Sequence, residues 1–285
     1  MNPSTTHPGT LSLLAAIMMG SLFLFVLFPG TPVQAAEDLP KLVHGGKLYD
    51  NWLAFVPAPR RQQLALVRQT HPSYPKHGPK KGLTTWRCKE CHGWDYRGKK
   101  IGDDQGNHTV TIIGIQRLIG ADPAEVLAIL RNPVHSYDQA MITDRDAEAL
   151  AQFVVSGQHD FSASIDSATG SAQGEANKGA PFFQTLCAVC HGLDGRKIDF
   201  DPKEEVEYLG HVARENPYEF LHKIRFGQPG QIMIALSALT TQQQLDLLAF
   251  AQTLPRDPRD PINDHLPFDP GPKEIFPLEE QPCNN

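Results

Sequence analysis

Charge is absent from the start of this 285-residue chain: no Lys, Arg, Asp or Glu occurs in residues 1–35. Within that stretch Leu11 to Phe28 is apolar apart from Ser12, Gly20 and Ser21, and Val33-Gln34-Ala35 has the small residues of a signal-peptidase site. Residues 1–35 therefore read as a signal peptide cleaved after Ala35. The run also approaches the ~20 residues that span a bilayer, so a retained N-terminal membrane anchor through residues 11–28 is the alternative. Both place Glu37 onward outside the cytoplasm, in a periplasm-like compartment. An excess of basic charge is also missing, since the formal net charge is -6. Residues 36–160 hold 16 basic and 14 acidic residues and residues 161–285 hold 10 and 18, with no cationic stripe interleaved with aromatics, which excludes a nucleic-acid binder. With 24 prolines and 23 glycines, long regular sheets are not expected. Methionine is scarce, and beyond residue 35 only Met141 and Met233 remain.

Cysteine is limited to five residues, and four of them form Cys88-x-x-Cys91-His92 and Cys187-x-x-Cys190-His191. This is the attachment pattern of c-type haem. Two thiols one helical turn apart match the two vinyl groups of a porphyrin, and the next residue lies under the ring as proximal iron ligand. A zinc site gives no reason for a His directly after each pair. A thioredoxin-like pair would need a βαβ context, which is absent. Two covalently bound haem c groups are thus expected, attached at Cys88, Cys91, Cys187 and Cys190, with iron bound by His92 and His191. Cys283, in Gln-Pro-Cys-Asn-Asn, is left over and reads as an exposed tail thiol.

A six-coordinate iron needs a second axial ligand, and a Met ligand raises its potential. Met141 lies 49 residues past His92, and Met233 lies 42 past His191. One Met at a similar offset in each half marks both as candidate distal ligands. Histidines are the rivals: His135, His108, His71 and His77 for the first haem, and His211 and His222 for the second.

Around these motifs the sequence repeats. Gly179-Ala-Pro-Phe-Phe precedes the second motif, and Gly46-Lys-Leu-Tyr occurs before the first, separated from it by an insertion. Asp122-Pro123 and Asn216-Pro217 each open an apolar helical pattern. Thr143 and the pair Thr240/Gln243 read as caps of a last helix in each half, the latter as a capping box. This arrangement resembles the class I c-type cytochromes, fused in tandem as in periplasmic di-haem cytochromes c. The resemblance covers Gly179–Leu254 closely, and Gly45–Tyr49 with Trp86–Val155 in the first half. It implies an all-α fold of two tandem domains, each a small helical bundle around a covalently bound haem, with N- and C-terminal helices packed across each other. It also implies His92 and His191 as proximal and Met141 and Met233 as distal ligands. In that family a Pro usually follows the ligating Met, whereas here Ile142 and Ile234 do.

The domains expected are 36–157 and 175–254, joined by a Ser/Ala/Gly/Asp-rich linker at 158–174 and followed by a Pro-rich tail at 255–285, either strap or disordered. The insertion at 53–87 has seven Lys or Arg and no Asp or Glu. It reads as a proline-braced loop over the first haem, or as a docking patch for an acidic redox partner. The functional expectation is a carrier of single electrons between a donor and an acceptor outside the cytoplasmic membrane, rather than an enzyme. The rivals are a di-haem enzyme of the peroxidase or thiosulfate-dehydrogenase kind, and the electron-delivering subunit of a membrane redox complex.

Overall fold

A computed structural model describes Met1 and residues 32–103, 106, 108–201 and 206–260, with side chains from Leu39 onward in the main body. The apolar run Leu11–Phe28, Cys283 and the tail from 261 lie outside the described residues. No described helix is long and apolar enough to cross a membrane.

The chain is mostly helical, about 50% of it, with few strands. In the first half α1 (Pro32–Asn51) is followed by α2 (Ala58–Val67), the five-residue α3 (Cys88–His92), a hairpin of β1 (Gly98–Ile101) and β2 (Val110–Ile113), α4 (Pro123–Arg131) and α5 (Asp144–Gln152). In the second half come α6 (Ala176–Phe182), α7 (Ala188–His191), α8 (Leu209–Glu215), α9 (Pro217–Phe226) and α10 (Thr241–Ala251).

Local chemistry sets the helix starts. Asp122 accepts from the Ala124 amide at 2.8 Å, capping α4 ahead of Pro123. Thr143 accepts from the Asp146 amide at 3.2 Å and caps α5. The Thr240/Gln243 capping box is fully formed at α10. Asn216, in contrast, makes no side-chain cap; its backbone closes α8 and opens α9 at once.

The two halves repeat one crossing of helices. α1 packs on α5, and α6 on α10. At the first crossing a Cβ on Gly45 would sit 2.0 Å from the Ala149 carbonyl oxygen; at the second, one on Gly179 would sit 2.0 Å from that of Asp246. Backbones come this close only where a side chain is missing. Each crossing anchors its own apolar core. The first holds Tyr49, Trp52, Leu150 and Phe153; the second holds Phe183, Leu221, Leu247 and Leu248. Each such side chain contributes about 1.5–3 kcal/mol on leaving water.

Three features differ from the sequence reading. The β1–β2 hairpin was not foreseen; at its open end Gly98, opposite Ile113, takes φ 93°, a value that favours glycine, and a Cβ there would sit 2.0 Å from the Ile112 carbonyl oxygen. Residues 158–174, read as the linker, carry packed side chains: Phe161 and Ile165 belong to the second core, and Gln158 donates to the carbonyls of Ile115 (3.0 Å) and Val154 (2.6 Å). Polar composition hid two apolar anchors there. The insertion is more than a loop, since α2 occupies its middle and buries Leu64. Phe226 of α9 also sits in the first core, so the halves share packing.

Candidate haem-binding motifs

Both Cys-x-x-Cys-His segments are short helices with the same stop. α3 ends at Gly93 (φ 77°), whose amide donates to the Lys89 carbonyl at 3.0 Å; α7 ends at Gly192 (φ 79°), whose amide donates to that of Ala188 at 2.8 Å. After each stop a carboxylate folds back. Asp95 Oδ1 accepts from the Arg97 amide and Asp194 Oδ1 from the Arg196 amide, both at 3.1 Å. This His-Gly-x-Asp-x-Arg echo is visible in the sequence and is a part of the repeat that the sequence reading missed.

The lead-in differs. Before Cys187 the α6 helix widens into a π turn over Phe183–Cys187, a distortion often found at functional sites. Before Cys88 the chain makes a 3₁₀ segment, Gly82–Trp86. The Trp86 carbonyl is held by Trp52 Nε1 at 2.8 Å and by the Tyr137 hydroxyl, while Tyr49 donates to the Gly93 carbonyl at 2.5 Å. The first core therefore grips both ends of α3.

Among the described residues Cys88, Cys91, Cys187 and Cys190 form no disulfide. Burial, with the neighbouring thiol, pushes Cys88 up to about 12 and Cys187 up to about 11. Burial and the Glu90 carboxylate push Cys91 up to about 11. These are uncharged sulfurs at neutral pH. The imidazoles of His92 and His191 are held below the ordinary histidine value by burial. His92 Nδ1 lies 2.8 Å from the Ile113 carbonyl, so its proton sits there and Nε2 keeps the free electron pair. His191 Nδ1 is buried with no partner among the described residues.

The surroundings suit a large apolar ligand. Large hydrophobic side chains stand in solvent around the second motif and the Met233 loop, among them Val189 (76% exposed) and Ile232 (98%), together with Leu193, Phe200 and Ile234. Near the first motif Ile113, Ile119 and Val134 do the same. Paired thiols one turn apart, a neutral imidazole at the helix end and an apolar surround fit a porphyrin at each motif.

The distal candidates separate sharply. Met233 is half-buried against the core cluster that Cys187 also joins. Met141 is buried in the first core and lines a cavity of about 40 Å³ with Trp52, Phe55 and Val56. His135 faces His92, their ring centres 6.2 Å apart and their planes within 19°. His222 is buried between the halves, with Nδ1 2.8 Å from the Tyr96 hydroxyl and Nε2 2.9 Å from the Gly46 carbonyl. With both nitrogens bonded there, it has none to offer a second haem. His211 is half-buried on α8. His71 is buried with its ring 4.2 Å from that of Trp86. His77 and His108 stack on the surface at 4.1 Å, and with Asp103 their ligand atoms lie within 4.8 Å of one another.

In the insertion, Arg68 pairs with Asp138, and Arg87 with Asp50 at 2.7 Å. Arg60, Arg61, Lys76, Lys80 and Lys81 point to solvent. No protein-family model matches this chain, and comparison with curated proteins finds no match.

Proposed function

We propose that this chain is a di-haem c-type cytochrome of tandem class I design, exported from the cytoplasm, which passes single electrons between redox partners. The observation that carries the reading is the duplication. Each Cys-x-x-Cys-His helix is stopped by a glycine, followed by the same folded-back Asp, and set beside the same glycine-mediated helix crossing. Two unrelated thiol pairs have no reason to share all three.

In this reading Cys88, Cys91, Cys187 and Cys190 would tether the porphyrins, and His92, through Nε2, and His191 would bind iron. Haem iron bound in this way supplies one-electron redox chemistry, and the protein sets its potential by ligand, burial and hydrogen bonding. The Ile113 carbonyl orients His92 and raises its basicity. Met233, packed against the same core cluster as Cys187, would supply a sulfur ligand to the second iron. The five solvent-facing cations of the insertion form a surface for an acidic partner, where complementary charge raises encounter rate more than affinity.

The test is to express the full chain in a host that assembles c-type cytochromes and weigh the mature protein under denaturing conditions. The expected mass exceeds that of the polypeptide by two porphyrins. The double variant Cys187→Ser/Cys190→Ser is expected to keep one. A mature exported chain without bound porphyrin overturns the reading. The same measurement locates the mature N-terminus and so decides between cleavage after Ala35 and a retained anchor.

A further inference from the structure

We propose that His135, not Met141, is the distal ligand at the first motif, so that the first iron is held by two histidines and the second by histidine and methionine. This rests on the reading of Cys88–His92 as a haem site.

The spacing of the rings is the first argument. An imidazole nitrogen lies about 1.1 Å from its ring centre and bonds a first-row metal at about 2.0 Å, so two rings ligating one ion from opposite sides have centres about 6 Å apart. His92 and His135 are 6.2 Å apart and within 19° of parallel. Direct stacking gives a different distance, and this molecule contains the comparison: His77 and His108, also within 19° of parallel, are 4.1 Å apart. The His92–His135 separation is wider than that direct stack and equals the spacing of two imidazoles on one ion.

The second argument is that the position of His135 is built. Asn132 Oδ1 accepts from the backbone amides of Val134 (2.9 Å) and His135 (3.0 Å), and lies 3.4 Å from His135 Nδ1. The next residue, Ser136, takes φ 53°, one of only two non-glycine positive values among the described residues. Such backbone strain persists where surrounding structure enforces it. The insertion does the enforcing. Ser73 N–H donates to His71 Nδ1 at 3.0 Å, so the His71 proton is on Nε2, which donates to the His135 carbonyl at 3.1 Å. The Ser73 hydroxyl donates to the Val134 carbonyl at 2.8 Å. His71 in turn packs on Trp86, two residues before Cys88. A solvated loop histidine needs none of this. Fixing ligand backbones from outside is how metal sites orient their ligands.

The third argument concerns Met141. It is 3% exposed and packs with Leu48 and Trp52, filling the core as methionine commonly does. Its counterpart Met233 is only half-buried. The similar offsets in sequence, 49 and 42 residues, conceal two different environments.

Because methionine ligation raises the potential relative to histidine, the first haem is then the lower-potential centre and electrons run from the first half to the second.

The test uses the full-length holoprotein, with near-infrared magnetic circular dichroism and electron paramagnetic resonance of the ferric state and a potentiometric titration. The expected result is one bis-histidine and one histidine–methionine haem in the unmodified protein, with two separated potentials. Met233→Leu is expected to remove the sulfur-to-iron charge-transfer band, and Met141→Leu to leave both ligation signatures in place. His135→Ala is expected to turn one haem high-spin. Should that variant not mature, the unmodified protein still decides through its own spectrum. Methionine ligation at both haems, or loss of a sulfur band on Met141→Leu, overturns the proposal while leaving the di-haem reading intact. A chain without porphyrin removes both.

Discussion

His222 Nδ1 lies 2.8 Å from the Tyr96 hydroxyl, a hydrogen bond that joins α9 of the second half to the segment just past the first Cys-x-x-Cys-His helix. The same ring approaches the Gly46 carbonyl at 2.9 Å and rests among Tyr49, Phe153 and Phe226. The join between the halves is therefore buried and specific.

Burial pushes His222 down to about 3. An unfolded histidine titrates near 6.5, so between those values the unfolded chain binds a proton that the folded one refuses. Stability is expected to fall as pH drops below about 6.5, by at most about 1.4 kcal/mol per pH unit from this group. His222→Leu removes that slope and, by leaving the Gly46 carbonyl and Tyr96 hydroxyl unpaired, costs about 2–4 kcal/mol at neutral pH. Urea unfolding at pH 5 and pH 7.5 measures both effects; equal slopes in the two proteins would refute the assignment.

Asp50 is fully buried and lies between Arg87 at 2.7 Å and Lys223. Burial alone would raise its carboxyl, yet the Lys223 and Arg87 charges hold it below the ordinary carboxylate range. A depressed folded value means stability present above about pH 4 and lost as pH falls further. Asp50→Asn strands two cations and is expected to cost about 3–5 kcal/mol at neutral pH, with less acid sensitivity below pH 4. Thermal unfolding from pH 3 to pH 7 checks it.

Gly179→Ala is expected to destabilise by about 1–3 kcal/mol, because the new methyl meets the Asp246 carbonyl at the α6–α10 crossing. Gly45→Ala should do the same at α1–α5 through the Ala149 carbonyl. Calorimetry that found either change neutral would show that the crossing helices can slide apart.

His71→Phe keeps a ring against Trp86 but loses the donor to the His135 carbonyl. If the chain carries the two haems proposed above, a partly high-spin first haem and a shifted potential are expected, with the second haem unchanged. His71→Gln, which retains a donor, should fall between. A change in melting temperature alone, with both ferric spectra intact, would reduce His71 to a packing role.

Much of the local structure was legible in the sequence because its causes are local. Asp122, Thr143 and Thr240 cap the helices they precede, since a cap needs only its own next turn. The thiol pairs read directly because two residues of spacing set their separation. Asn216 opens α9 ahead of Pro217 as its sequence suggests, but without a side-chain cap bond, and the short α8 that ends on the same residue gave little periodic signal.

What the chain order could not supply is the set of contacts between distant segments. His222 follows the second motif in sequence yet is bonded within the first half, 176 residues from Gly46. Met141 and Met233 hold similar offsets, but one is sealed in a core and the other sits half-buried beside its motif cluster. His135 acquires its place opposite His92 through His71, 64 residues earlier. Residue spacing along one helix turn fixed the motifs and the caps. Which imidazole faces which depends on how α1, α9 and the insertion fold over one another, and that is a matter of burial and hydrogen-bond satisfaction across the whole molecule.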